Sequence, residues 1–179
     1  MMAAHEQSMN RQGAMSYQDQ RSAPAFDAAR DGRRPDDTAI RSQIGALCYR
    51  VRRGKVQVLL ITSRGTGRWI VPKGWPLDGK RACDTARVEA FEEAGVSGAV
   101  RDICLGLYAY AKDIDTPEPV ACMVALYPLQ VDKLARKYPE RGERKRKWVS
   151  RKRAAALVGE PELARLIVAF DPRALERGA

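Results

Sequence analysis

The chain has 179 residues, 45% hydrophobic and 30% charged, with a formal net charge of +10, which fits one domain with a sizeable core plus a tail. No apolar run approaches the roughly 18 residues that span a bilayer, and Met1–Gln7 has no apolar stretch of the secretory kind, so a cytoplasmic protein without membrane contact is expected. The single histidine, His5, and the scattered Cys48, Cys83, Cys104 and Cys122 argue against a clustered zinc site or a His-activated nucleophile, and the cysteines are expected as small buried hydrophobes in a reducing compartment.

In chain order, residues 1–38 are rich in Gln, Ser, Asp, Arg and Ala and are expected to stay disordered, with a folded domain over 39–172 and a short tail over 173–179. Ile44–Val51 and Val56–Ile61 read as a hairpin closed by Arg52-Arg53-Gly54-Lys55, and Trp69-Ile70-Val71 as a short strand ending at Pro72. The spacing predicts a helix over Lys80–Ala94, with Asp84 early in it and Gly95 as its C-terminal cap. Val100–Lys112 and Val120–Val131 read as long strands joined by the loop 113–119, and Lys147-Trp148-Val149 as one more. Two helices follow, over Arg151–Val158 and Pro161–Phe170, with an apolar side made by Ala154, Leu157, Leu163, Leu166, Ile167 and Phe170. A mixed sheet with helices on its faces, an α/β (α+β) layered domain, is the expected fold class.

The chemistry points to residues 73–96. Glu89, Glu92 and Glu93 fall at i, i+3 and i+4, on one face of the predicted helix. Like charges there repel, and a divalent cation removes that penalty; Mg²⁺ favours carboxylates together with substrate phosphates. An acidic, solvated helix face is the plainer reading of the same trio. The loop Pro72-Lys73-Gly74-Trp75-Pro76-Leu77-Asp78-Gly79 runs into the helix, and a helix N-terminus after such a loop suits an anion. Lys73 and Lys80 are candidate phosphate contacts there. Trp69 is expected in the core or loop packing; Trp75 either packs or stacks on a base.

Charge is unevenly distributed. Residues 133–153 carry eleven Lys and Arg against Glu140 and Glu143. Such a run attracts polyanions. With Tyr138 and Trp148 as its only aromatics, it offers little stacking surface for nucleic acid.

With Gly74 first and Glu89, Ala90, Glu92, Glu93, Gly95 and Val96 in register, these residues resemble the signature of the Nudix hydrolase family: Gly, five residues, Glu, seven residues, then Arg-Glu-apolar-x-Glu-Glu-x-Gly-apolar. Ser63–Pro72 and Arg146–Ser150 look like the corresponding segments of the diphosphoinositol polyphosphate and diadenosine polyphosphate phosphohydrolase branch, so the likeness runs over about residues 39–170. The resemblance implies an α/β/α sandwich and hydrolysis of a phosphoanhydride bond in a small-molecule polyphosphate. It implies Mg²⁺, with Mn²⁺ as a substitute, held by Glu89, Glu92 and Glu93, one of which or a metal-bound hydroxide supplies the base. Arg64 and Arg68 match positions that bind phosphates in the inositol branch, a role that suits bidentate Arg; with Lys73, Gly74 and Lys80 they make up the expected substrate contacts. Two signature positions depart. Lys80 stands at the first Glu, and Val88 stands at the Arg that orients the neighbouring Glu. The loss at 88 opens an alternative: a catalytically impaired fold that binds an anionic ligand or RNA.

Overall fold

The computed structural model describes residues 40–112 and 120–175. The expected disordered tail over 1–38, the loop 113–119 and the last four residues lie outside the described residues. The strands are β1 (Arg41–Arg52), β2 (Lys55–Thr62), β3 (Trp69–Ile70), β4 (Lys73–Gly74), β5 (Val96–Val100), β6 (Gly106–Lys112), β7 (Val120–Leu134) and β8 (Arg146–Ser150). The helices are α1 (Ala82–Ala94), α2 (Arg151–Ala155) and α3 (Pro161–Ala169), followed by a 3₁₀ turn, Pro172–Leu175. Among the described residues no helix is long and apolar enough to cross a membrane.

All eight strands join one sheet along the order β3-β2-β1-β7-β5, with β8 on β2, β4 on β1 and β6 on β7. The β1–β7 pair is parallel and the others antiparallel, the mixed sheet expected from the sequence. β1 and β2 are buried on both faces, so they read as near-continuous apolar runs. Along β2, Val58 and Leu60 join one core while Leu59 and Ile61 join the other. The first core lies under α2 and α3, with Ala154, Leu163 and Ile167, and the second under α1, with Ala86, Ala90 and Ala94. Helices therefore cover both faces, the α/β/α layering that buries the sheet.

Four boundaries differ from expectation. Residues 100–112 are not one strand. β5 and β6 follow one another along β7, pairing Val100 with Leu129 and Gly106 with Leu126. The five residues between them stand opposite only Tyr127 and Pro128, so they bulge out of the ladder, with Arg101 N–H donating to the Pro128 carbonyl at 3.1 Å and Leu105 N–H to the Leu126 carbonyl at 2.8 Å. β5 begins at Val96, unread in the sequence because Ser97 and Gly98 interrupt its apolar pattern. Gly98 is there for close approach: a Cβ would lie 1.9 Å from the Gln130 carbonyl oxygen, beside the register shift at Ser97/Gly98. At the C-terminus, the tail expected from residue 173 begins inside the core, since Leu175 is buried in the cluster with Phe170 and Ile167. α1 starts at Ala82, two residues later than expected, and ends on Gly95 in the left-handed conformation, φ 64°. Cys48, Cys83 and Cys122 are buried as expected, and Cys104 is exposed.

Candidate active site

The signature loop and α1 meet in a cavity of about 420 Å³ lined by Arg64, Arg68, Lys73, Gly74, Glu89 and Glu93 among the residues singled out from sequence. β4 brings this about: pairing of Ile44 with Gly74 and Gly45 with Lys73 pins the loop to β1 in front of the helix. Gly74 is required by proximity, because a Cβ there would stand 2.1 Å from the Glu89 carboxyl carbon and Oε1. A substitution would push that carboxylate away from the loop.

The three signature carboxylates are in different situations. Glu93 is 6% exposed. Its Oε2 accepts the Lys73 backbone N–H at 3.0 Å, and its Oε1 pairs with Arg144 Nη2. Burial raises the Glu93 pKa, while Arg144 and the Lys73 N–H pull the other way; burial dominates. Glu89 lines the cavity with no ion pair or hydrogen bond among the described residues. Its pKa is pushed up to about 7, first by burial and then by the charges of Glu93, Glu92 and Glu140. Glu92 is exposed and does not line the cavity; its backbone carbonyl accepts the Glu140 N–H at 3.0 Å. The expected convergence of all three on one point is thus corrected: among the described residues no three acidic or soft ligands stand together at metal-binding spacing, because Arg144 holds Glu93 and α1 turns Glu92 outward. Lys80 is exposed on the loop and also lies outside the cavity lining.

Sequence reasoning passed over four lining residues that shape this geometry. Arg144, whose side chain is 5% exposed, donates from Nε to Glu140 Oε2 at 2.6 Å and from Nη1 to the Thr62 carbonyl at 3.0 Å, besides holding Glu93. One guanidinium thus ties α1, the end of β2 and the β7–β8 connection together, using the fork geometry that lysine lacks. Glu140 adds a further carboxylate. Tyr110 donates to Gln43 Oε1 at 2.6 Å, and Lys73 Nζ lies 4.8 Å over its ring. Burial lowers the Lys73 pKa despite the opposing Glu93 charge. Glu160 lies across the cavity, with Arg68 Nη1 at 3.5 Å from its Oε1. Arg64 is exposed and lies within 3.7 Å of Glu140 and 3.6 Å of Glu143. Trp75 lines the rim, half-exposed, with Lys112 Nζ 4.6 Å over its ring. The loop 63–68 is internally braced: Arg68 N donates to Ser63 Oγ at 3.0 Å and the Ser63 and Thr66 hydroxyls are 2.9 Å apart.

The oxygen donors fit a hard divalent cation. Glu89 makes no ion pair among the described residues and stands beside the charges of Glu93, Glu92 and Glu140, with Lys73 opposing them weakly, and carboxylate oxygens are what Mg²⁺ takes. Within the cavity Glu89 and Glu140 would hold it, with Glu93 already tied to Arg144 and Glu92 needing to turn inward to join them.

An α/β/α sandwich with a glycine loop facing an acidic helix across a cation-lined cavity defines a class of phosphate-handling proteins. The model of the NUDIX domain family matches residues 41–170, and the chain belongs to that family. It is 32% identical over 106 residues to Nudix hydrolase 12, mitochondrial, of Arabidopsis thaliana, covering 58% of this chain and 52% of that protein, so it spans about half the length of that relative. It is likewise 32% identical over 149 residues to Nudix hydrolase 21, chloroplastic, of the same plant, covering 80% of this chain and 73% of that protein. Among solved structures, a binary complex of a C. elegans Ap4A hydrolase shares the fold with a TM-score of 0.54 at 21% identity, covering 78% of this chain and 100% of that one.

Proposed function

We propose that this chain is a Mg²⁺-dependent pyrophosphohydrolase that cleaves a phosphoanhydride bond in a highly charged polyphosphate of the diadenosine polyphosphate or diphosphoinositol polyphosphate type. The observation that carries the reading is Glu89, set against Gly74 in the cavity with no hydrogen bond or ion pair among the described residues, which is where a carboxylate must stand to act on a ligand rather than on the fold. Bound Mg²⁺ would neutralise the pyrophosphate and polarise the attacking water, the dominant contribution in phosphoryl chemistry. The chain's own residues supply the rest. Arg64, Arg68 and Lys73 line the cavity and bind phosphate oxygens. Glu89 accepts the proton of the attacking water. Arg144 positions Glu93 and Glu140, the orienting work that position 88, a valine here, does not do.

The test is Mg²⁺-dependent release of phosphate or nucleotide from a panel of both substrate types. Glu92→Gln plus Glu93→Gln is expected to abolish it, and full activity in that double variant would reject the assignment. Val88 favours a second reading, an impaired fold that binds an anionic ligand or RNA. Absence of turnover in both the natural chain and Val88→Arg, with tight salt-dependent binding, would establish that reading instead.

A further inference from the structure

The two aromatic residues of the basic run, Tyr138 and Trp148, stand beside cations from a distant part of the chain. On the α1 side of the sheet, strand alternation puts Arg50 and Arg52 of β1 on the face of Ala46 and Cys48, and Lys55 and Gln57 of β2 on the face of Leu59 and Ile61. Trp148 of β8 lies opposite Leu59 on the same face. The Arg50 guanidinium lies 4.1 Å over the Trp148 ring and donates from Nε to Gln57 Oε1 at 2.8 Å. The Arg146 guanidinium lies 4.9 Å over the Tyr138 ring and donates to the Ala94 carbonyl, at the end of α1. Two guanidinium planes are thereby held against aromatic rings, with all four side chains partly exposed. Beyond them, at the hairpin tip, Arg52 and Lys55 are exposed and directly opposite one another, a like-charge cross-strand pair that costs stability. No ion pair among the described residues offsets the charge of Arg50, Arg52, Arg53 or Lys55. β1, β2 and β8 contain no acidic residue.

We propose that this face of the sheet, from Arg146 to the tip of the β1–β2 hairpin, binds single-stranded nucleic acid. The site is separate from the cavity, whose lining includes none of these residues, and it is independent of the pyrophosphohydrolase reading. Arg146, Trp148, Arg50 with Gln57, and the Arg52–Lys55 pair occupy successive rows of the ladder. Rows two residues apart make a track of roughly 20 Å, room for about four nucleotides, the low end for single-strand sites. Such sites combine cations that follow the phosphates with planar groups on which unpaired bases stack, and arginine planes serve as well as rings. This face has both. Arg52 and Lys55 supply charge without planes or acidic partners, and the Arg50–Trp148 and Arg146–Tyr138 pairs supply planes already fixed in place, so little side-chain freedom is lost on binding. A duplex hides the faces of its bases from such a surface, and an acidic peptide would pair with the cations and leave the planes unused. The basic run by itself offers little stacking surface; folding adds the β1–β2 cations to its two rings.

The experiment is fluorescence anisotropy of a short labelled single strand without terminal phosphate, titrated with the full chain in chelator. An abasic strand with the same number of phosphates and a duplex of the same length are the comparisons. The natural chain is expected to bind the single strand about tenfold more tightly than the abasic strand, the scale of one stacked base, and more tightly than the duplex. Arg52→Ser with Lys55→Ser should weaken binding of both single strands and reduce the slope of log K against log salt by about 1.4, at about 0.7 per phosphate contact. Arg50→Lys keeps the charge and removes the plane, so it should lower affinity for the base-bearing strand about tenfold and leave the abasic strand unaffected. These three positions are on the surface or partly exposed, and an unchanged melting temperature shows that the variants fold. Equal affinity for the base-bearing and abasic strands would reduce the surface to a charge effect and overturn the proposal. So would tighter binding of the duplex, unchanged affinity in the variants, or displacement of the strand by adenosine 5′-diphosphate, which would place it in the cavity.

Discussion

Glu89 is stabilised by neither a hydrogen bond nor an ion pair among the described residues, and the fold is strained electrostatically to keep it. Its pKa rises from 4.5 to about 7, so the folded protein binds this proton more tightly than the unfolded chain does. That contribution to stability is complete below pH 4.5 and is lost as pH rises through about 7. The side chain is partly exposed, so screening reduces the effect to about 1 kcal/mol. Glu89→Gln should therefore raise the melting temperature in chelator at pH 8, flatten the fall of stability between pH 5 and 8, and lower kcat by at least about 100-fold. An unchanged melting profile would show that the carboxylate is better solvated than its neighbours suggest. Arg144 is the opposite case. Removing it leaves Glu93 buried without a counter-charge, and Arg144→Met should cost about 3 kcal/mol in urea unfolding. Arg144→Lys should recover little, since one ammonium cannot reach Glu93, Glu140 and the Thr62 carbonyl together. None of this was legible in the sequence, where Arg144 is one of eleven cations in a basic run and lies 51 positions from Glu93. Glu160 had one signal that reasoning passed over, an acidic residue directly before a proline that opens a helix.

At the scale of elements, α1 was legible for an unusual reason. Its buried face is Ala86, Ala90 and Ala94 with Cys83, side chains too small to give a strong apolar periodicity. The glycine and glutamate spacing revealed the helix, because the site dictates it. The small face lets the helix lie close on the sheet, and β4 brings the loop equally close in front. Gly74→Ala probes that approach. The Cβ would meet the flexible end of Glu89, which can swing away, so unfolding free energy should change by less than about 1 kcal/mol while activity falls by about 100-fold. Loss of stability with activity retained would mean that the loop moves instead of the carboxylate. The strands of β1 and β2 were legible from unbroken apolar runs. The division between β5 and β6 was not, since only the length of β7, far along the chain, determines where each must pair.

At the scale of the molecule, the basic run turns out to serve two purposes. Arg144, Arg146 and Arg151 face inward: Arg146 donates to the Ala94 carbonyl at 2.6 Å and stacks on Tyr138, and Arg151 donates to the Phe170 carbonyl. Lys133, Arg136, Lys137, Arg141, Lys145 and Lys147 remain exposed, a cationic surface able to draw in an anionic substrate. Replacing Arg136, Lys137 and Arg141 by Ser should raise KM several-fold at low ionic strength and leave kcat unchanged, and the difference should vanish near 0.5 M salt, where screening shortens the reach of each charge to a few ångströms. A KM indifferent to these changes would show that this surface does not gather the substrate.

The clasp that Arg144 closes has a further result. It joins the helix bearing the acidic residues to the segment between β7 and β8, so the reactive centre is completed only by a stretch of chain that adds little to either hydrophobic core. A single proteolytic nick between residues 141 and 143 should leave the two halves associated through the sheet, yet free the guanidinium to drift. Such a protein would keep its circular dichroism and lose its turnover, which would make the integrity of that peptide link, more than the solidity of the scaffold, the condition for chemistry.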